Sequence, residues 1–367
     1  MAITRIGNPA IADQRGVNFR NIIINGGMDL AQRGTSFTGI TSGSNYCLDR
    51  FTTVPVTAGT WTQTQSTDVP TGQGFANSAK LDCTTANGSL SANSLLYFQQ
   101  RVEGQNLQYL KKGTSSAESV TMSFWVKSNK TGTYIVELFD GDNTRQISKS
   151  YTINSANTWE KKTITYSGDT TGAFNNDNAL SLYCFFWLAG GTDYTSGTLS
   201  TTWTANTNAN RAVGQVNLAD NTANEWYITG VQLEAKEVAS DFEFLPHDMN
   251  LERCLRYYYL VAEGDQQSMG TGLYYSSAYL LQAASYPVRM RATPSLHQTS
   301  GSAYYGLFRS AAEDTFNEFI INVSGSLRSN DKYYEIYNAS NASGTAGQTG
   351  FLRTSNASAF IAFDAEL

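Results

Sequence analysis

Hydrophobic and polar positions alternate with a period of two along much of this chain. In Ser119–Lys127, Val120, Met122, Phe124 and Val126 share one side, while Thr121, Ser123, Trp125 and Lys127 share the other. Successive side chains of an extended strand point to opposite faces, so this pattern predicts a strand with one face buried. Tyr134–Phe139, Gln146–Thr152, Lys161–Tyr166 and Glu225–Glu234 continue the set, with Asp140-Gly141-Asp142-Asn143 as a hairpin turn. Leu180–Leu188 is apolar on both faces. It predicts a central strand, covered on both sides or with one aromatic face open to a partner or ligand. Strands and turn signals without a helical period predict an antiparallel β-sandwich, and the lack of a fixed-period repeat argues against a propeller or β-helix.

The pattern changes around Phe244–Gly264. Pro246 breaks the extended run, Asp248 or Asn250 is placed to cap a helix, and Leu251, Leu255 and Tyr258 fall on one helical face. One short helix is expected there, as a hinge. Beyond it, strands are expected at Arg256–Val261, Ala278–Ala283, Ser302–Arg309, Phe316–Val323, Lys332–Tyr337 and Ala359–Asp364, forming a smaller β-domain. The Asn-, Ser- and Gly-rich stretch Asn338–Ser355 reads as a surface loop or subunit contact. At the other end, Asn21–Phe51 opens the sandwich, with Ile22–Ile24 as a strand start and Gly26-Gly27 as a break. The resulting division is an arm at 1–20, a sandwich at 21–240, a linker with the helix at 241–264 and a C-terminal domain at 265–367. The arm reads equally as a frayed terminus or as a segment docking on another subunit through Ile3, Ile6, Pro9 and Ile11.

Composition supports this picture. Aromatic residues reach 12%, charged residues only 15%, and there are 6 prolines, which suits strands and turns and argues against disorder. The net charge of −6 and the scattered basic residues argue against a nucleic-acid partner. Cys47, Cys83, Cys184 and Cys254 form no C-x-x-C pair and the histidines number 2, so a zinc-type site is not expected; no cofactor or metal-ligating residue is singled out. Free thiols and assembly in a reducing compartment are expected instead. With neither a signal peptide nor a long apolar span, the chain is expected to be soluble and not membrane-inserted.

No catalytic residue emerges. A G-x-S-x-G elbow is missing, and His247 and His297 read as polar surface, capping or loop residues. Asp140, Asp142, Asp169 and Asp177 lie in turn-like stretches, where Asp bonds locally. A glycosidase would need two carboxylates roughly 5–10 Å apart, a separation that sequence does not display. Sugar rings pack their C–H faces on aromatic side chains while amides and carboxylates take the hydroxyls. On that ground Tyr183, Phe185 and Trp187, on one side of their strand, are candidate glycan-binding residues, with Trp125 as a further one. Core or subunit interface is the reading favoured over a ligand groove for this face. The tyrosines of the C-terminal domain (Tyr257, Tyr258, Tyr259, Tyr274, Tyr275, Tyr304, Tyr305, Tyr333, Tyr334) exceed what some hundred residues are expected to bury, which predicts a subunit interface; the alternative is that they decorate strands.

Several segments carry a resemblance: Asn21–Phe37 (NIIINGGMDLAQRGTSF), Tyr46–Phe51, Gln100–Gly104, Ser119–Leu138, Tyr151–Gly172, Trp226–Glu234, Phe242–Tyr259, Tyr286–Ser295 and Phe363–Leu367. In this order they resemble a family of tailed-bacteriophage virion proteins, often tail-fibre or receptor-binding components, whose main domain is similar to carbohydrate-binding jelly rolls. The resemblance implies a jelly roll, a helix and a small β-domain. It also implies a non-enzymatic homotrimer on the virion, assembled in the host cytoplasm, joined to other virion proteins through residues 1–20 and touching host-surface polysaccharide. The alternatives are a capsid or head fibre, a decoration protein or tail adaptor without a host ligand, and a polysaccharide-degrading tailspike. Such jelly rolls commonly hold calcium between the first and last strands, but the matching positions, near Asn25 and Thr229-Gly230, lack the family's carboxylates.

Overall fold

The computed structural model of the chain describes residues 19–310, 312–323 and 328–367. The expected N-terminal arm lies outside the described residues up to position 18. Thirteen strands build the larger part: β1 (Ser36–Ile40), β2 (Asn45–Tyr46), β3 (Phe51–Val56), β4 (Thr60–Ser66), β5 (Ser78–Thr85), β6 (Leu95–Glu103) and β7 (Val120–Ser128). They continue with β8 (Gly132–Asp140), β9 (Arg145–Ile153), β10 (Glu160–Tyr166), β11 (Leu180–Gly190), β12 (Thr204–Ala205) and β13 (Glu225–Glu234); a single helical turn, α1 (Thr192–Thr195), follows β11. One sheet runs β1-β4-β5-β13-β7-β10, the other β12-β9-β8-β11-β6-β3-β2. The chain steps between sheets from β7 to β8, from β9 to β10 and from β10 to β11, and the pairings of these strands are antiparallel. The result is a jelly-roll sandwich.

The alternation in β7 does what its pattern predicts. Met122, Phe124 and Val126 are fully buried between the sheets, where Phe124 meets Phe186 of β11 at 5.2 Å and Tyr151 of β9 at 5.1 Å, edge to face. Trp226 of β13 packs on Phe98 of β6 at 5.8 Å. The Tyr166 hydroxyl crosses the core to donate to the Val136 carbonyl at 3.0 Å, so its polar end is satisfied. β11 lies between β8 and β6, the central place its two-sided apolar pattern predicts.

Ile22–Ile24, expected as a strand start, are instead buried, irregular chain. Side-chain amides replace a ladder here. Asn21 Oδ1 accepts from the Ile23 and Leu233 amides, and the Gln100 side chain bonds both the amide and the carbonyl of Ile24 at 2.8 Å. Gly26 is required by close approach, since a Cβ there would stand 2.0 Å from the Val231 carbonyl oxygen.

The C-terminal part begins with α2 (His247–Leu255). Its N-cap is Pro246, without a side-chain cap bond; Asp248 lies in the first turn, where its charge suits the helix dipole. Asp248 and Asn250 lie inside the helix rather than at its N-cap, Asp248 Oδ1 accepting from the Met249 amide at 3.0 Å, and Tyr258, expected on its face, lies in the next strand. Ten strands follow: β14 (Tyr258–Glu263), β15 (Ser268–Ser276), β16 (Tyr279–Ser285), β17 (Ser295–Gln298), β18 (Tyr305–Arg309), β19 (Ala312–Phe316), β20 (Ile320–Ile321), β21 (Tyr333–Asn338), β22 (Thr349–Thr354) and β23 (Phe360–Asp364). They form a three-stranded sheet, β14-β23-β17, and a seven-stranded sheet, β19-β18-β22-β15-β16-β21-β20. Tyr274, Tyr305, Tyr334, Phe363 and Leu352 are buried in their common core. β22 corrects the expected loop at Asn338–Ser355: only the first part of that stretch is a connection, and its end pairs on both sides, with β15 and β18.

By contact the chain divides into two units, and the division is not linear. Residues up to Asp29, Thr38–Ser44 and Thr53–Leu245 form the first; Leu30–Phe37, Asn45–Thr52 and Pro246–Leu367 form the second. The two early segments are built into the second unit by charge. The Arg33 guanidinium lies 3.6 Å from the Tyr258 ring centre and pairs with Asp364 at 3.1 Å. Arg50 lies 3.4 Å from the Tyr257 ring centre and pairs with Glu366, both charges buried.

Candidate functional site

The side of β11 turned away from the sandwich core carries Tyr183, Phe185 and Trp187. Antiparallel register sets Tyr97, Gln99 and Arg101 of β6 opposite Trp187, Phe185 and Tyr183, and Ile135, Glu137 and Phe139 of β8 on the other flank. The face is therefore a band of rings. Tyr183 stacks on Phe185 at 5.1 Å, Tyr97 meets Phe185 edge-on at 4.7 Å, and Phe139 meets Tyr183 at 5.7 Å.

One end of the band is closed. Residues 191–217 run over it, and Tyr194 packs on Trp187 at 5.3 Å, with Leu199 and Ala212 beside them. Arg211 enters from this segment, 5.2 Å from the ring centres of Phe139, Phe185 and Trp187, and donates to Glu137 at 2.8 Å. Trp187 Nε1 donates to the other Glu137 oxygen at 2.8 Å. Burial pushes the Glu137 carboxyl up, and the guanidinium pulls it back. Burial also works against the charge of Arg211, but Glu137 more than restores it. The cover is fixed by backbone bonds as well: the Ser148 amide donates to Ser200, Gly191 to Ser94 and Val216 to Thr133.

The structure thus separates the four sequence candidates. Phe185 and Trp187 are buried beneath the cover, 4% and 0% exposed. Tyr183 is half-buried at the open end. Trp125 is half-buried on β7, in the other sheet, opposite Lys161 and Thr229, and belongs to no common site with the rest. The tyrosine argument is corrected too: Tyr257, Tyr258, Tyr274, Tyr305 and Tyr334 are core residues, because their hydroxyl ends find partners or lie at core edges, and only Tyr275 and Tyr333 are exposed.

Tyr183 stands at the open end with Phe139 beside it and the Arg101 guanidinium 5.7 Å from its ring centre, while Tyr97 lies opposite Trp187; all three rings are half-buried. Between Tyr97 and Arg101 lies Gln99, 1% exposed, and neither its Oε1 nor its Nε2 has a hydrogen-bond partner among the described residues. An unpaired buried amide costs about 1–3 kcal/mol, so such a group stores strain or takes an ordered water or a ligand. Burial raises the Tyr97 phenol above its ordinary value, with Arg211 and Arg101 pulling the other way. The period-2 pattern of Leu95–Glu103 held the signal for Tyr97, Gln99 and Arg101, but not their pairing with β11. Arg211 lies in an aperiodic stretch with no signal at all.

Other candidates are accounted for structurally. His247 is exposed at the start of α2, while His297 lies on a strand, not in the expected loop, with Nδ1 3.1 Å from the Tyr258 hydroxyl. Asp140 and Asp169 hold the Lys112 ammonium, together with the carbonyls of Thr171 and Gly172. Burial works to raise the Asp169 carboxyl, but Arg145, the Thr171 amide and Lys112 hold it below its usual range. Near Asn25, Thr229 donates to the Asn77 carbonyl at 2.7 Å, and among the described residues no three His, Cys, Asp or Glu side chains gather as a metal would need. The four cysteines are buried thiols, none of them in a disulfide. No helix among the described residues is long and apolar enough to cross a membrane. A cavity of about 430 Å³, lined by Phe19, Tyr109 and Ala235 among others, has its charged walls paired internally, Lys111 with Glu118 at 2.8 Å and Arg20 with Glu234 at 3.8 Å.

No family model and no curated protein sequence matches the chain. Among solved structures it is similar to the enzymatically active domain of bacteriophage CBA120 tailspike protein 4, at 14% identity and a TM-score of 0.31, over 59% of this chain and 22% of that one. It is also similar to a CBM4 domain, at 14% identity and a TM-score of 0.29, over 58% of this chain and 98% of that one. A third is the family 11 carbohydrate-binding module from Clostridium thermocellum in complex with a β-1,3-1,4-mixed-linked tetrasaccharide, at 8% identity and a TM-score of 0.29, over 56% of this chain and 99% of that one. The sandwich itself rests on this chain's own strand pairing.

Proposed function

We propose that the first unit is a non-enzymatic glycan-binding module, and that the chain is a bacteriophage virion protein, a homotrimeric fibre or tail component contacting host-surface polysaccharide. One juxtaposition carries the binding part: the half-buried rings of Tyr97, Phe139 and Tyr183 beside Arg101 and beside the Gln99 amide, whose two polar atoms have no partner among the described residues. Rings supply platforms for the C–H faces of a sugar, and the amide and guanidinium supply donors and an acceptor for its hydroxyls. The virion part is supported by the resemblance of the segments from Asn21 to Leu367. Attachment through residues 1–20 and the reducing host cytoplasm as the place of assembly belong to the same proposal, as does the lack of catalysis.

The test is to immobilise a panel of purified bacterial surface polysaccharides and measure retention of the chain and of Tyr183→Ala. Retention of the wild type on at least one polysaccharide, weakened in the variant without loss of its melting transition, is the expected result. Release of reducing ends from the retained polysaccharide would overturn the non-enzymatic reading. Electron microscopy of particles labelled with antibody to the chain separates a tail or fibre position from a capsid one.

A further inference from the structure

The seven-stranded sheet of the second unit has one face in the core and one turned out. The outward face of an antiparallel sheet is ordinarily polar. Here register aligns Leu273, Leu281, Tyr337 and Ile320 in one row across four strands, and Phe308 beside Phe351 in the next. Tyr275 is 74% exposed, Phe351 66%, Tyr333 50% and Ile320 45%. Tyr279 stacks on Tyr337 at 5.0 Å and meets Tyr275 at 6.1 Å, so these three rings form one continuous surface.

We infer that this face is an interface with a second copy of the chain. The inference deepens the homo-oligomeric part of the proposed function by naming the surface. Three observations select the occupant. The exposed fractions of the three rings alone leave on the order of 400 Å² in water, at about 200 Å² per aromatic side chain. The aliphatic and half-buried members extend the patch toward the roughly 800 Å² that each partner of a stable interface buries. Glu313 and Arg353 on the face pair with each other through two bonds of 2.9 Å, and the Glu335 carboxylate, on the same side of its strand as Tyr333 and Tyr337, is buried and accepts from the Asn322 amide at 2.7 Å. Leucine and isoleucine rather than amides lie between the rings, which suits neither sugar hydroxyls nor solvent. Interfaces between copies of one chain are the more apolar class, and most soluble oligomers are of this kind.

The experiment is light scattering during size exclusion of the full chain at micromolar concentration, repeated for Tyr275→Glu with Phe351→Glu, and for the milder Tyr275→Ser with Phe351→Ser. Both positions of change are exposed, so the melting transition is expected to be kept, and it is measured alongside. The wild type is expected to run as a multiple of the chain mass and both variants as monomers. A wild-type oligomer that persists in both folded variants overturns this face but leaves oligomerisation standing. A monomeric wild type overturns both. Retention on polysaccharide, measured in the same samples, reads the glycan proposal separately, since those residues lie in the first unit.

Discussion

At the scale of single residues, the outer face of β11 shows how far a strand pattern reaches. Alternation placed Tyr183, Phe185 and Trp187 on one side, but which of them meet solvent depends on residues 191–217, whose sequence has no period to read. Trp187 is fully buried, bonded to Glu137 and packed on Tyr194. Trp187→Ala is therefore expected to cost about 3–5 kcal/mol in chemical denaturation; an unchanged midpoint would place that ring outside the core. His297 offers a test by pH. Burial lowers its pKa, with Arg33 acting the same way and Asp364 opposing. The unfolded chain then binds a proton that the folded chain resists, so stability rises with pH across the window just below the ordinary histidine value of about 6.5. The melting temperature of the second unit is expected to fall as pH drops through that window, and His297→Gln to flatten the fall. A fall of equal size in the variant would assign the effect to other groups.

At the scale of elements, the strands with strong alternation or continuous apolar runs were legible, β7, β11 and β13 most clearly. β15 and β22 were not. Gly270 and Gly272 interrupt β15, and β22 follows an Asn- and Ser-rich connection that disguises its short inward pair, Leu352 and Thr354. Least legible was the threading of residues 30–37 and 45–52 into the second unit, because it depends on charges meeting partners some three hundred residues away. Arg50 and Glu366 are both buried, and removing Arg50 takes one charged bond from Glu366 while Arg33 remains 3.6 Å from it. Arg50→Ala is expected to destabilise the second unit by about 1.5–3 kcal/mol, read as an earlier unfolding transition. A double variant with Glu366→Gln is expected to recover part of that loss; no recovery would mean the two side chains act independently.

At the scale of the molecule, two β units carry separate tasks in this account: the first a ring-lined face with an unanswered amide, the second an apolar sheet face suited to a copy of itself. The fold class follows from periodicity, whereas the binding site follows from pairing and cover, which explains why Gln99, Arg101 and Arg211 escaped a linear reading. The claim at the centre is that the Gln99 amide is unpaired because a ligand pairs it. Gln99→Met keeps the shape and removes the amide, so the two consequences separate. Isothermal titration of wild type and variant with the polysaccharide that retains the chain is the direct measurement, with a thermal melt of each. The variant is expected to melt no lower than the wild type, since an unmet polar group has been removed, and to bind more weakly by up to about tenfold, the loss of roughly 1.4 kcal/mol. Equal affinity in the two proteins would contradict it.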